Sequence, residues 1–216
     1  MKRRFGRTGQ EVTRVGLGGE GVLRTYGRHA EAKAVITEAL NQGITYFDSA
    51  RVYAGSEDYY GEVWGSRPDL RERVFLASKS ASRQHADAEM DLQMTLQRMK
   101  IETLDLWQIH DVRTFTDIRD LEGSDGALEA FIEARDSGIV RYIGVTGHHD
   151  PDVLSHAVEA WPIDAVMMPV NPVEGAPGGF LSSTLPAARE QGVAVIGMKV
   201  LGGSHYLSSD AGVTAE

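Results

Sequence analysis

The strongest constraint on the fold of this chain is a regular alternation of short apolar runs with amphipathic helical segments. Seven such steps of roughly 30 residues follow a basic segment, residues 3–12, that has the turn residues of a hairpin. Alternating strands and helices are typical of parallel sheets with crossover helices. Strands are predicted at residues 13–18, 44–48, 74–78, 103–110, 141–145, 165–170 and 193–200, with helices at 30–41, 56–64, 87–99, 126–136, 151–160 and 185–191.

Seven units of this length favour an α/β fold of the (β/α)8 TIM-barrel type over an open doubly wound sheet. The alternative has one supporting signal, because residues 16–21 match the dinucleotide pattern Gly-x-Gly-x-x-Gly. That pattern requires a helix immediately after the glycines, and here the helical periodicity begins only near Ala30. A glycine-lined first loop of a barrel is therefore the favoured interpretation. Asp150, just before Pro151, is the expected N-cap of the fifth helix.

The length of the chain indicates one barrel domain, residues 1–216, that is incomplete at its C-terminal end. Only 216 − 203 = 13 residues follow Gly203, too few for another helix and an eighth strand. We therefore expect a barrel truncated after strand seven. Residues 208–216 are predicted to be a loop that reaches a helix N-cap at Thr214.

Composition restricts the classes of partner. The chain has 22 basic and 31 acidic residues, a formal net charge of −9, which argues against nucleic-acid and anionic-membrane partners. It contains no cysteine, so disulfides and thiolate chemistry are excluded. No apolar run of 18 residues and no signal-peptide pattern occur, so we expect a cytoplasmic protein.

Four polar side chains lie at or near the ends of successive predicted strands: Asp48, Tyr53, Lys79 and His110. Parallel strands bring their carboxyl ends to one rim of a barrel, so these groups are expected to converge. A tyrosine hydroxyl can protonate a carbonyl oxygen, and a nearby ammonium group should lower its pKa. Lys79 would supply that charge, held by Asp48, since a buried charge needs a partner. A structural salt bridge at the rim is the competing interpretation of that pair.

The block Phe47-Asp48-Ser49-Ala50, followed by Tyr53 and Gly55-Ser56-Glu57, resembles the signature of the aldo-keto reductase family. The resemblance extends from Met1 to about Gly203. It implies reduction of a small-molecule carbonyl with NADPH, or alternatively NADH, and catalytic roles for Tyr53, Asp48, Lys79 and His110. In the family the histidine orients the substrate carbonyl as a neutral imidazole.

The resemblance also implies a set of cofactor-binding residues, and no metal ligand. The basic cluster that usually binds the adenosine 2′-phosphate lies in the final units of the family's barrel and has no counterpart here. The usual asparagine that follows the nicotinamide-binding hydroxyl is replaced by Gly147. The candidate cofactor-binding residues are Gly18, Gly19, Asp48, Thr146, Asn171 and Lys199.

Two other functions stay open. His110-Asp111 and His148-His149-Asp150 resemble metal ligands of barrel hydrolases, but the expected His-x-His after strand one is replaced by Gly18-Gly19-Glu20. The second alternative is a truncated, non-catalytic barrel that binds a nucleotide weakly or a protein partner. Unpaired edges on strands one and seven would then favour self-association.

Overall fold

The structure, a computed structural model, describes residues 1–204. It begins with an antiparallel hairpin of β1 (Lys2–Arg4) and β2 (Glu11–Thr13). Six parallel strands then form a single sheet in sequence order. They are β3 (Tyr46–Asp48), β4 (Phe75–Ser80), β5 (Leu104–Ile109), β6 (Val140–Thr146), β7 (Ala165–Pro169) and β8 (Ala194–Met198).

Helices follow the parallel strands and cover the outer face of the sheet. They are α1 (His29–Asn41), α2 (Ser56–Ser66), α3 (Pro68–Arg71), α4 (His85–Met99), α5 (Phe115–Glu122), α6 (Ala127–Asp136), α7 (Pro151–Ala160) and α8 (Thr184–Glu190). Short 3-10 helices occur at Gly6–Thr8, Gly21–Leu23, Pro172–Gly175 and Gly202–Ser204. None of these helices has the length and apolar character needed to cross a bilayer.

The alternation of side chains along each strand separates two apolar layers. In β3, Tyr46 faces the barrel interior and Phe47 packs with the helices, because successive residues of a strand point to opposite faces. The inner layer joins residues from strands at opposite edges of the sheet, so the sheet is curved around it. This layer contains Phe5, Val12, Tyr46, Phe75, Ala77, Leu106, Ala165 and Ala194.

The N-terminal hairpin closes the amino end of the barrel. The Phe5 ring lies 4.9 Å from that of Phe75 at the start of β4. Gly6 has φ +52, and a Cβ there would lie 2.5 Å from the Ala194 nitrogen, so only glycine allows this close approach. Arg7 donates hydrogen bonds to the carbonyl oxygens of Gln191, at 3.0 Å, and Ile163, at 2.9 Å. The hairpin is thus fastened to the last described strand.

The predicted strand at residues 13–18 is wrong. Only Leu17 pairs with the sheet, as an isolated parallel bridge to Phe47. Its N–H donates to Tyr46 O, and its carbonyl accepts from Asp48 N, each at 2.9 Å. The glycines on either side of Leu17 have no side chains that pack and lower strand propensity, which limits the pairing to one residue.

The other six predicted strands are confirmed, and β8 corresponds to predicted strand seven. Helices α3 and α5 were missed. The described residues have the (β/α)8 TIM-barrel fold, with six parallel strands and the Leu17 bridge. The predicted loop and N-cap at residues 208–216 lie outside the described residues.

A cavity of about 820 Å³ separates residues 13–20 from β8. It extends from the hairpin to the carboxyl end of the strands, where Asp48, Tyr53 and Lys199 contribute to its wall.

Candidate active site

Strand register brings three of the four predicted catalytic side chains to the carboxyl rim, and Tyr53 lies in the loop between β3 and α2. Asp48 is the last residue of β3, and its neighbour in the sheet is Ala77 of β4. Lys79 lies two residues farther along β4, on the same face, opposite Gln108 of β5. His110 directly follows β5, and its N–H donates to Ser80 O at 2.8 Å.

Asp48 and Lys79 form a buried ion pair. Their exposed fractions are 6% and 1%. The Lys79 ammonium donates to Asp48 Oδ2 and, at 2.6 Å, to Ser49 O. Gln108 Nε2 donates to Asp48 Oδ1 at 3.2 Å. Burial raises the pKa of Asp48, and the Lys79 charge opposes that rise. The pair has the hydrogen bonds that a buried charge requires, so its geometry is fixed.

Two cations lie close to the Tyr53 ring. The Lys79 ammonium and the Arg24 guanidinium are each 4.9 Å from its centroid. The His110 ring meets it edge-on, with centroids 5.6 Å apart. Burial raises the pKa of Tyr53 above its ordinary value, and the Asp48 charge raises it further. The net shift is therefore upward, opposite to the lowered pKa expected from the sequence, and only the Arg24 charge among the main causes opposes it.

His110 is neutral in this environment. Burial, followed by the nearby Lys79 charge, lowers its pKa to about 3. Its Nδ1 atom is buried and has no hydrogen-bond partner within the described part of the chain. The neutral imidazole that the family resemblance implies therefore follows from the surroundings of the ring.

The two candidate glycines serve different purposes. A Cβ on Gly18 would meet no atom within 4 Å, so a side chain there would project into the cavity. A Cβ on Gly19 would lie 2.7 Å from Ser56 Oγ and 2.9 Å from Asp48 O. Gly19 is thus required for packing against the end of β3, whereas Gly18 keeps the cavity open.

The remaining cofactor candidates lie at the end of β6 and shortly after β7 and β8. Thr146 is buried, and its Oγ1 accepts the N–H of Asp111 at 2.8 Å. Asn171 caps the Pro172–Gly175 helix through its Oδ1, and its Nδ2 donates to Lys199 O at 3.2 Å. Lys199 is exposed, and its Nζ lies 3.0 Å from His148 Nδ1. The structure brings all three to the rim, with Asn171 engaged in holding the backbone.

Sequence reasoning assigned no role to Gln108 or Arg24. Gln108 is fully buried, and its Oε1 has no hydrogen-bond partner among the described residues. An amide on the inward face of an apolar strand was a visible signal for it. Arg24 lies in a loop without periodicity, so its position over Tyr53 had no sequence signal.

The fold and this rim define the class of protein to which the chain belongs. The sequence profile of the Aldo/keto reductase family matches residues 14–211. The chain belongs to the aldo/keto reductase family.

Two curated relatives show the extent of the match. An aldo-keto reductase of Schizosaccharomyces pombe, whose name specifies NADP(+), is 26% identical over 88% of this chain and 58% of its own length. An uncharacterized oxidoreductase of Bacillus subtilis, YqkF, is 25% identical over 90% of this chain and 63% of its own length. The chain therefore spans about six tenths of these relatives.

Solved structures show the same fold. A holo-form aldo-keto reductase from Bacillus halodurans matches with a TM-score of 0.75 over 92% of this chain and 65% of that chain, at 24% identity. An aldo-keto reductase from a Medee basin deep-sea metagenome library matches with a TM-score of 0.72 over 96% of this chain and 69% of that chain, at 17% identity.

Proposed function

We propose that this chain, acting as a single barrel domain, reduces an aldehyde or ketone of a small molecule to the alcohol, with NAD(P)H as the hydride donor. The observation that carries the proposal is the convergence of Tyr53, the Asp48–Lys79 pair and neutral His110 beside an open cavity. Family membership supports the same reaction class. NADPH is the favoured cofactor, because the name of one relative specifies NADP(+), and NADH is the alternative.

The residues at the rim fit a nicotinamide cofactor. The cavity volume of about 820 Å³ lies within the ~300–1,000 Å³ range of ligand pockets. Gly18 leaves it open, and the buried Oε1 of Gln108 has no hydrogen-bond partner among the described residues. Gly18, Asp48 and Thr146 would hold the nicotinamide end, and Lys199 lies on the cavity wall where it can attract phosphate. The bound cofactor would supply the hydride that reaches the carbonyl carbon.

Tyr53 would donate the proton that reaches the carbonyl oxygen. Its raised pKa means that the hydroxyl retains its proton at neutral pH. After the transfer the phenolate would lie beside the Lys79 ammonium, which is 4.9 Å from the ring centroid. His110, neutral because its pKa is about 3, can orient the carbonyl oxygen as a hydrogen-bond donor.

The test is oxidation of NADPH and NADH with a panel of aldehydes and ketones, run on wild type and Tyr53→Phe. We expect Tyr53→Phe to lower the rate at least ~10²-fold, the scale of general acid catalysis, while NADPH titration gives an unchanged affinity. Tyr26→Phe is the matched control, because Tyr26 is 78% exposed. Turnover by Tyr53→Phe close to that of wild type would contradict the proposed role of Tyr53.

The non-catalytic alternative makes a different prediction for the same assay. Binding of NADPH by wild type without turnover of any carbonyl in the panel would favour it. Self-association through open strand edges also stays a prediction, as does a cytoplasmic location. Within the described residues β8 pairs only with β7, and Val195 on it is 36% exposed. Light scattering coupled to gel filtration measures the oligomeric state directly.

A further inference from the structure

Three potential metal ligands meet at the barrel rim between β5 and β6. Asp111 follows His110 at the end of β5, and His148 and His149 follow Thr146 at the end of β6. Asp111 Oδ1 lies 3.2 Å from His148 Nε2 and 3.5 Å from His149 Nε2. One ligand atom from each residue lies within 4.8 Å of the other two. We call these three residues the rim triad.

Asp111 is held so that one oxygen faces both imidazoles. Arg113 donates to Oδ2 at 2.6 Å through Nη2 and at 2.9 Å through Nε. The Asp111 N–H donates to Thr146 Oγ1 at 2.8 Å. Oδ1 itself is buried and has no hydrogen-bond partner within the described part of the chain, although both imidazoles are close. A buried carboxylate oxygen without a hydrogen bond is costly, and a cation held between it and the two imidazoles would satisfy it.

Two of the three distances between ligand atoms match a tetrahedral metal centre. Bonds of ~2.0–2.1 Å from zinc to imidazole nitrogen and carboxylate oxygen place neighbouring ligand atoms ~3.3 Å apart. The two oxygen–nitrogen distances, 3.2 and 3.5 Å, lie on either side of that value. Two imidazoles and one carboxylate are an established zinc donor set, and they leave the fourth position open. We propose that Asp111, His148 and His149 bind one divalent transition-metal ion of the zinc type.

The exposure of the three side chains and the position of Arg113 are consistent with a metal site here. The side chains of Asp111, His148 and His149 are 20%, 27% and 41% exposed, so an ion can enter from solvent. Arg113, which donates to Asp111 Oδ2, is placed to orient the carboxylate whose other oxygen would bind the metal. The site is distinct from the Asp48–Lys79 pair, and its occupancy can be measured without substrate or cofactor.

Lys199 competes with the metal. Its Nζ lies 3.0 Å from His148 Nδ1. An ammonium group that donates to Nδ1 leaves the proton of the neutral imidazole on Nε2, the atom that faces Asp111. Metal binding at Nε2 therefore requires that Lys199 release the ring. Removal of the lysine should increase the metal affinity.

A second cluster provides an internal control. His85, Glu89 and Glu133 also place ligand atoms within 4.8 Å of one another, on the outside of α4 and α6. There, however, His85 Nε2 makes an ordinary hydrogen bond of 2.9 Å to Glu133 Oε2. Both glutamate side chains are 55% exposed. This cluster has the geometry of a surface ion pair, so we assign no metal to it.

The test is titration of the metal-free full chain with Co²⁺, read from its visible absorption, followed by displacement with Zn²⁺. We expect one Co²⁺ per chain with the intense spectrum of a tetrahedral site. His149→Gln and Asp111→Asn should each weaken binding at least ~10-fold, the scale of an outer-partner loss and a lower bound for a ligand. Lys199→Met should bind more tightly than wild type.

His85→Gln is the matched control, a histidine lost from the other cluster, and should bind Co²⁺ like wild type. Thermal melts without metal establish that each variant is folded. Binding lost in His85→Gln but retained in His149→Gln would overturn the proposal. So would a weak octahedral spectrum, or equal affinity in wild type, His149→Gln and Asp111→Asn. None of these outcomes depends on carbonyl reduction.

Discussion

The Asp48–Lys79 pair and the rim triad lie on the same rim, at the ends of neighbouring strands, yet their surroundings differ. Lys79 is 1% exposed and donates to both Asp48 and Ser49. In the rim triad the side chains are 20–41% exposed, and Asp111 Oδ1 has no hydrogen bond within the described part of the chain. The charged groups of the pair are thus enclosed and fully hydrogen-bonded, whereas the rim triad has partly exposed side chains and one carboxylate oxygen without a hydrogen bond among the described residues.

This difference suggests two roles: the buried pair fixes the geometry of the rim, and the partly exposed rim triad is suited to bind a ligand. A buried pair with complete hydrogen bonds cannot change its partners without a large cost, so it holds Tyr53 and the end of β3 in place. A partly exposed cluster with a free acceptor can take up a ligand at little structural cost.

The largest effect is expected from Lys79→Met. It leaves the Asp48 carboxylate buried without its counter-ion and should lower the free energy of unfolding by about 3–5 kcal/mol. Urea unfolding of wild type and variant measures the loss. The double variant Asp48→Asn with Lys79→Met is the control and should recover much of it. A loss below about 1 kcal/mol would show that the pair does not hold the rim together.

A pH-dependent loss of stability should follow from His110. Its pKa is near 6.5 when unfolded and about 3 when folded, so the unfolded chain binds more protons between these values. Stability therefore falls as the pH decreases from about 6.5 towards 3. At about 1.4 kcal/mol per pKa unit, the His110 share between pH 7 and pH 4 is about 3 kcal/mol. The depressed pKa of His148 acts in the same direction.

Urea unfolding of wild type and His110→Gln at a series of pH values isolates the His110 share. The curve for His110→Gln should be flatter over this range. Parallel curves for the two proteins would contradict the assignment of a buried, neutral His110.

A smaller effect is expected at the N-cap of α7, next to the rim triad. Asp150 Oδ1 accepts the N–H of Asp152 at 2.9 Å and of Val153 at 3.4 Å. Asp150→Ala should lower the free energy of unfolding by about 1 kcal/mol, the usual contribution of such a cap. Glu159→Ala, an exposed change near the other end of the helix, should have almost no effect. Equal losses in the two variants would argue against capping.

The smallest effect is expected for Asp111→Asn in metal-free protein. Its partner Arg113 is 57% exposed, and exposed ion pairs contribute about 0–1 kcal/mol. The same urea experiment should give a loss below about 1 kcal/mol. A loss comparable to that of Lys79→Met would contradict the difference drawn here between the rim triad and the buried Asp48–Lys79 pair.

Much of the fold was predictable because the periodicity of the sequence is strong. Six of the seven predicted strands and the Asp150 cap are confirmed, since each combines a clear apolar run with a turn or capping residue. Helix α5 was missed although Thr114 and Asp117 form a capping box at its start. The segment around Leu17 was misjudged because one apolar residue between glycines cannot show how far pairing extends.

The sequence predicted which residues converge at the candidate site, but not how their surroundings shift their pKa values. Asp48, Lys79 and His110 lie at or next to the ends of successive strands, so their convergence follows from parallel topology. The direction of the Tyr53 pKa shift did not follow, because it is set mainly by the burial of the hydroxyl and next by the Asp48 charge. The rim triad joins residues 37 positions apart on two loops (148 − 111), and their close approach depends on loop geometry that sequence spacing does not encode.

The bonds of Arg7 also affect how the chain reaches its fold. Its guanidinium group contacts backbone oxygens 156 and 184 positions farther along the sequence. Contacts of such long range are slow to form, because the intervening chain must first be ordered. During synthesis the N-terminal hairpin emerges long before the turn after α8 exists, so the Arg7 hydrogen bonds cannot form until that turn is made. Closure of the amino end of the barrel by the hairpin and the turn after α8 is therefore expected to be a late event in folding.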